Sequence, residues 1–320
     1  MKNKSIILIT SFFIIFSNYS FAHDNFEKWL NEFKAEAISK GISEKTLEVL
    51  NNAKPSEKTI KLDRNQPEFK LTFQKYKSKV VSDYRLKKAK IEYKKNKPLL
   101  DKIEKKYGVN GRLLISLWAI ESNFGNNMGK FNLFHTLASL AHDGRRSKFF
   151  RKELFNALMI IEKNMVNNTN LKSGWAGAMG QCQFMPSSFL KYGVDENKDG
   201  KIDIWSDKED IFASMANYLS KNGWNDRYIW GRAVSGKNFN EPIKYNKKVK
   251  HLSEWSELGL HQTNGKILPK VDIKAKLLVI DKSNKNLFLV YDNFETLLKW
   301  NRSNYFALSV GILSDTLINK

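Results

Sequence analysis

The sequence predicts a mainly helical fold with a minor β component, an α+β class. Apolar residues recur at helical spacing through most of the chain, and helix-starting and helix-stopping residues sit at the ends of those patterns. Two short apolar runs near the C-terminus read instead as strands. The chain has 320 residues, 42% hydrophobic and 12% aromatic, enough for a sizeable core in one large or two small domains and too apolar for a disordered chain.

Residues 1–22 come first. Lys2 and Lys4 precede an apolar run, Ile6–Phe16, and Ser20-Phe21-Ala22 closes it with small residues at the −3 and −1 positions. That is a secretory leader, cleaved after Ala22, and the run is too short to cross a bilayer. Phe26, Trp29, Leu30, Phe33 and Ala37 then mark a helix stopped at Gly41. Lys70–Asn96 is a long basic stretch carrying Leu71, Phe73, Tyr76, Val80, Tyr84 and Leu86. Pro98 begins a helix with Leu99, Leu100 and Ile103, and Gly108 stops it. Asn110 is placed to N-cap the next, Gly111–Ile120. Residues 131–166 hold two further helical patterns around Ala141–Arg146. Leu171–Ser188 is glycine-rich and reads as a loop. Asp210–Ser220 is helical again, and 225–270 looks irregular. Ala275–Ile280 and Leu287–Tyr291 form a hairpin across a polar turn. Two short helices close the chain, the last starting at Ser303 with Phe306, Val310 and Leu313 on one stripe.

The formal net charge is +21, and +19 once Lys2 and Lys4 leave with the leader. Such a field favours polyanions or an anionic surface. Export argues against nucleic acid, which leaves anionic lipid headgroups, an acidic wall polymer, or solubility alone. The single cysteine, Cys182, cannot close an internal disulfide, and its position offers no thiol for a lipid anchor at the start of the exported chain.

Glu121 is the most informative residue. Steps of four from Leu113 lead to Leu117 and then to Glu121, so a carboxyl stands where the apolar stripe of Leu113, Leu114, Leu117 and Trp118 asks for a core residue. Burial holds the proton on a carboxyl, and a protonated carboxyl near neutral pH is a general acid. The other reading is a partly solvated helix end or a pairing with a buried arginine, and periodicity leaves both open. Ser122-Asn123-Phe124-Gly125 ends the helix and opens a cleft. Downstream, Gln181, Gln183 and Ser187 offer neutral hydrogen bonds suited to sugar hydroxyls and amides. Five of the eight tryptophans, between Trp175 and Trp255, suit stacking on sugar rings as well as an ordinary core.

Asp195-Glu196-Asn197-Lys198-Asp199-Gly200-Lys201-Ile202-Asp203 matches the start of an EF-hand loop. Asp195, Asn197, Asp199 and Asp203 supply oxygens, Lys201 its carbonyl, and Gly200 the sharp turn. Position 12 is Ser206 instead of glutamate, and with Glu209 it reads as a capping box for the next helix. The alternative is an Asx-rich turn that needs no metal. The five histidines show no metal-ligand spacing, and Ser187 lacks a nucleophile elbow.

These residues resemble the lytic murein transglycosylase B family. The likeness is carried by Trp118–Gly125, by Trp175-Ala176-Gly177-Ala178-Met179-Gly180 with Gln183–Ser188, by the Asp195–Asp203 loop, by Ala216-Asn217-Tyr218-Leu219, by Trp300-Asn301-Arg302-Ser303 and by Leu62–Phe69, in order over about residues 25–318. The resemblance implies a lysozyme-like helical catalytic domain, about 98–235 completed by 292–318, after a helical segment, about 23–97. It implies that Glu121 is the single catalytic glutamate, that Ser122, Gln183, Phe184, Tyr218, Trp300, Asn301 and Tyr76 line the sugar groove, and that the loop at Asp195 is a calcium site. It implies a periplasmic monomer acting on peptidoglycan without a cofactor for the chemistry. Three positions depart from the family: Gly174 stands where some members have serine, Trp300 where tyrosine is common, and Ser206 where the calcium loop calls for glutamate. Ordinary glycoside hydrolysis uses two carboxylates. Asp143, beside Arg145 and Arg146, reads as an ion-pair member, so one carboxyl remains, consistent with an internal nucleophile. The rivals are a hydrolytic muramidase of the same fold and a non-catalytic wall-binding scaffold.

Overall fold

Helix α7 (Gly111–Ser122) shows how the chain builds its core. Asn110 caps it, its side chain accepting from the Arg112 N–H at 2.9 Å. Leu113 to Ala119 are all buried, so the helix is enclosed all round except at its ends, and its one polar residue there, Ser116, donates its hydroxyl to Arg112 O at 2.8 Å. The computed structural model describes residues 11–65, 71–236, 239–280 and 286–318, with side chains from Asn25 onward. Part of the leader and of the Leu62–Phe69 motif therefore lies outside the described residues. No helix among them is long and apolar enough to cross a membrane.

In chain order the helices are α1 (Ser11–Ser39), α2 (Glu44–Leu47), α3 (Glu57–Arg64), α4 (Phe73–Val80), α5 (Asp83–Lys95), α6 (Lys97–Tyr107) and α7. After them come α8 (Leu133–His142), α9 (Ser147–Glu162), α10 (Pro186–Tyr192), α11 (Lys208–Lys221), α12 (Leu252–Glu257), α13 (Asp292–Trp300) and α14 (Asn304–Asp315). Strands β1 (Phe131–Asn132) and β2 (Lys172–Ser173) form an antiparallel ribbon. Strands β3 (Gly231–Ser235), β4 (Val249–His251), β5 (His261–Gln262), β6 (Lys274–Val279) and β7 (Leu287–Val290) form an antiparallel sheet in the order β4-β6-β7-β3-β5.

The chain divides into two units, each discontinuous in sequence. One holds 1–66, 128–191 and 198–205; the other holds 67–127, 192–197 and 206–320. In the first, α8 and α9 pack as a pair, flanked by α1, α2 and α3. Asp63 on α3 is fully buried and clamped by Arg145 and Arg146. Asp143 pairs instead with Arg64 at 2.7 Å, so the ion pair expected beside it has a different partner from those its neighbours suggested. Both carboxylates are held as counter-ions in this unit. In the second unit, α7 is enclosed by α5, α6, α11 and α14.

The expected hairpin is β6–β7, but it is the centre of a five-stranded sheet. Residues 225–270 are not irregular: they supply β3, β4, α12 and β5. β4 and β5 are three and two residues long, too short to show a period of two, and β3, Gly-Arg-Ala-Val-Ser, carries no apolar alternation to find. The sheet gathers its own apolar core from Val234, Phe239, Leu252, Trp255, Leu277 and Leu289. The cap of α11 also differs from expectation. Asp207, one residue past Ser206, accepts from the backbone N–H groups of Glu209 and Asp210 at 2.7 and 3.2 Å. A carboxylate suits a helix N-terminus better than a hydroxyl does.

Candidate active site

Glu121 lies in the last turn of α7 and is half-buried. The backbone beyond it turns through three successive left-handed residues, Asn123 (φ 50°), Phe124 (φ 60°) and Gly125 (φ 81°). Asparagine and glycine accept that region readily, whereas phenylalanine there costs of order 1 kcal/mol or more. Hydrogen bonds hold the turn, with Phe124 N–H donating to Trp118 O at 3.2 Å and Asn127 N–H to Ser122 O at 2.8 Å. Burial of the Phe124 ring, edge-on to Trp118 at 5.3 Å, offsets the strain.

The Glu121 carboxyl meets a tryptophan. Trp300, the last residue of α13, donates its indole N–H to Glu121 Oε1 at 2.6 Å. The Trp300 ring packs edge-on against Tyr218 at 4.8 Å, and Tyr218 packs against Tyr192 at 4.6 Å. Tyr218 donates its hydroxyl to Lys299 O at 2.6 Å, which ties α11 to the end of α13. Burial pushes its phenol up to about 12, with Tyr192 adding to the shift, so it stays a neutral donor at any working pH. Position 300 is one of the departures from the resembled family, with tryptophan where tyrosine and its hydroxyl donor are common. The indole N–H replaces that donor. It is a donor only, so it orients the carboxyl without competing for its proton.

The remaining sequence-predicted residues fall into three groups. Asn301 and Tyr76 are half-buried in the same unit as Glu121. Asn301 accepts from the Ser303 N–H at 3.1 Å and turns the chain into α14, and Tyr76 packs on Tyr305 at 5.8 Å. Ser122 is fully buried: its hydroxyl donates to Trp118 O at 3.2 Å and accepts from Gly125 N–H at 3.1 Å. Its work is to close the helix end. Gln183 and Phe184 belong to the other unit. Gln183 takes a left-handed φ of 49° and donates its amide to Gly180 O at 2.8 Å. Phe184 is buried and exchanges backbone hydrogen bonds with Met179. A Cβ on Gly174 would stand 3.3 Å from Gln183 Oε1, so glycine here leaves room for the Gln183 amide. Cys182 is fully buried, which removes it as a nucleophile. Tyr192 was not singled out by sequence; nothing in its local pattern marks it, and only the fold stacks it on Tyr218.

The acidic loop shows Asx turns. Asp199 accepts from Lys201 N–H at 2.9 Å and Asp203 from Trp205 N–H at 2.8 Å, while Gly200 takes φ 88°. Asn197 donates to Asp207 at 3.1 Å. Among the described residues, no group of three or more His, Cys, Asp or Glu side chains is gathered as a metal ion requires.

Comparison with known proteins gives a consistent result. The family model for the transglycosylase SLT domain matches residues 25–315. The membrane-bound lytic murein transglycosylase B of Escherichia coli (strain K12) is 28% identical over 245 residues, 74% of this chain; the chain spans 64% of that protein's length. The crystal structure of SltB3 from Pseudomonas aeruginosa in complex with NAG-anhNAM-pentapeptide superposes with a TM-score of 0.87 at 34% identity, over 91% of this chain and 79% of that one. The Escherichia coli lytic transglycosylase Slt35 in complex with calcium superposes with a TM-score of 0.76 at 25% identity, over 92% and 93%.

Proposed function

The chain belongs to the transglycosylase SLT domain family, and we propose on that premise that it is a lytic murein transglycosylase. It cleaves the bond between N-acetylmuramic acid and N-acetylglucosamine in peptidoglycan and leaves 1,6-anhydromuramoyl ends. The observation that carries this is one oriented carboxyl: Glu121, half-buried at the end of a buried helix and held by the Trp300 N–H at 2.6 Å. Glu121 gives its proton to the bridging oxygen, and the C1–O bond of the muramic acid breaks. The indole N–H then faces a carboxylate, and a hydrogen bond to a charged acceptor is the stronger kind. That carboxylate takes the proton of the muramic acid C6 hydroxyl as the C6 oxygen bonds to C1. The nucleophile comes from the substrate itself, so proximity replaces a positioned water. Tyr218, Asn301 and Tyr76, in the same unit as Glu121, are sugar-binding residues of this reading, and so, within their own unit, are Gln183 and Phe184. Ser122 supports the turn beneath. The enzyme works as a monomer exported to the periplasm by residues 1–22.

Mass spectrometry of digested wall tests this. Products with anhydro ends support a transglycosylase; reducing ends that have gained a water mean a muramidase. The Trp300 bond has its own test. Trp300→Phe keeps a ring against Tyr218 and removes the donor, and kcat falls about tenfold or more, the worth of a hydrogen bond to a charged group. Trp300→Tyr restores most of it, because a phenol again donates. Equal rates for Trp300→Phe and the unaltered protein would mean that the bond plays no part in turnover.

Calcium belongs to this proposal as a structural ligand of the Asp195–Asp203 loop. Its support is the donor spacing of Asp195, Asn197, Asp199, Lys201 and Asp203, the left-handed Gly200 and the calcium complex of the related Slt35. With Ser206 in place of a bidentate glutamate, affinity is weak. Calcium at millimolar concentration raises the melting temperature, and Asp195→Ala abolishes the rise. A calorimetric titration without heat removes calcium from the picture.

A further inference from the structure

Helix α5 buries only Ala89 among its thirteen residues. Its outer face carries Tyr84 and Ile91, 59% and 64% exposed, at a spacing of two turns. Lys87, Lys88, Lys94 and Lys95 surround Ile91 at the i±3 and i±4 positions, and Lys90 lies beside them. The two acidic residues of α5 do not cancel this charge. Asp83 sits in the first turn, and Glu92 turns inward, 16% exposed, toward Lys208 at 3.7 Å. Lys87, Lys90, Lys94 and Lys95 form no ion pair among the described residues, and Lys88 lies over the rings of Tyr84 and Phe124. Beside the helix, an open groove of about 880 Å³ is lined by Lys90, Tyr93, Lys94 and Lys97, with Leu317 and Ile318 along it; its one carboxylate, Asp315, accepts from the Trp230 indole, and Lys97 pairs with Asp101. Ile318 is itself 52% exposed.

We propose that this face docks the protein on an anionic phospholipid bilayer. The lysines meet the headgroups, and Ile91, Tyr84 and Ile318 enter the interface. Charge complementarity supports an anionic partner, as clustered lysines on one helix face do for anionic lipid surfaces. The exposed apolar residues choose between partners. An acidic wall polymer gains nothing from an isoleucine ringed by lysines, whereas an amphiphilic interface takes up its apolar surface. The patch uses none of the residues assigned to the chemistry.

Co-sedimentation with vesicles tests the assignment. The exported chain, beginning at His23, is used throughout, so the apolar leader adds no vesicle binding of its own and the variants read α5. The unaltered chain binds vesicles containing phosphatidylglycerol, binds phosphatidylcholine vesicles far less, and loosens as salt rises. Each Lys→Gln change among Lys87, Lys90, Lys94 and Lys95 weakens binding by roughly fivefold. Ile91→Ser weakens it further without changing the salt dependence. Circular dichroism melts confirm that the variants fold, and anhydro-product formation from soluble glycan fragments stays unchanged. Equal binding to neutral vesicles overturns the proposal. So does an Ile91→Ser variant that binds anionic vesicles as the unaltered chain does. Lysine-dependent binding to lipid-free sacculi, without binding to vesicles, assigns the face to the wall polymer and overturns it as well.

Discussion

Glu121→Gln lowers anhydromuramoyl product formation by about a thousandfold, within the range of a lost general acid. The amide has the size of the carboxyl, and its oxygen still accepts from the Trp300 indole at the 2.6 Å position. Helix, turn and aromatic ladder therefore persist, and what disappears is a proton that can be given and taken back. The expected signature is a variant that melts at the unaltered temperature, is retained on purified sacculi as before, and releases almost no product. Release at the normal rate would move the acid to another residue. The other candidates in the described structure are poorly suited: Asp143 is paired with Arg64 and Asp63 with two arginines, both as counter-ions.

Gly311→Ala unfolds the protein at a temperature lower by about 6–10 °C, a loss of about 3 kcal/mol. The sign is opposite to what position alone suggests. Gly311 is a residue of α14, where alanine is favoured over glycine by about 1 kcal/mol. Packing decides otherwise. A Cβ here would lie 2.3 Å from two atoms of the Trp230 ring. The ring cannot retreat, since Trp230 is 3% exposed, its indole N–H is held by both Asp315 oxygens at 3.3 Å, and the rings of Phe288 and Phe294 lie 6.4 Å away. Either α14 shifts off its neighbours or the tryptophan leaves its place, and both cost more than the propensity gain. Differential scanning calorimetry checks it. A higher melting temperature for Gly311→Ala would show that the ring yields. Because α14 packs on α7, the helix that carries Glu121, activity falls together with stability.

Local chemistry made much of the helical part legible. Asn110 caps α7, Gly108 takes the left-handed C-cap of α6 at φ 68°, and Ser303 caps α14, each as the sequence implies. These are interactions within one turn of chain. The sheet was half legible: β7 is buried on both faces and shows as a continuous apolar run, β6 carries the apolar run Leu277–Val279 after two lysines, while β3 has only Ala233 and Val234 as apolar side chains and β4 and β5 are three and two residues long. The misplaced cap at Ser206 and the misassigned partners of Asp143 share a cause. Adjacent residues offered plausible bonds, and residues distant in sequence, or one position along, made better ones.

The sequence by itself determined the helical class, the break in the apolar stripe at Glu121 and the run of motifs that places the chain in its family. Those depend on period, spacing and residue type. Tertiary structure alone decided that a tryptophan 179 positions away holds the carboxyl, that Tyr192 joins the ladder behind it, and that Ser122 faces inward. Hydrogen-bond direction and ring contact depend on distances across the folded chain, and a linear pattern fixes neighbours along the helix but not the partners that packing brings to its end.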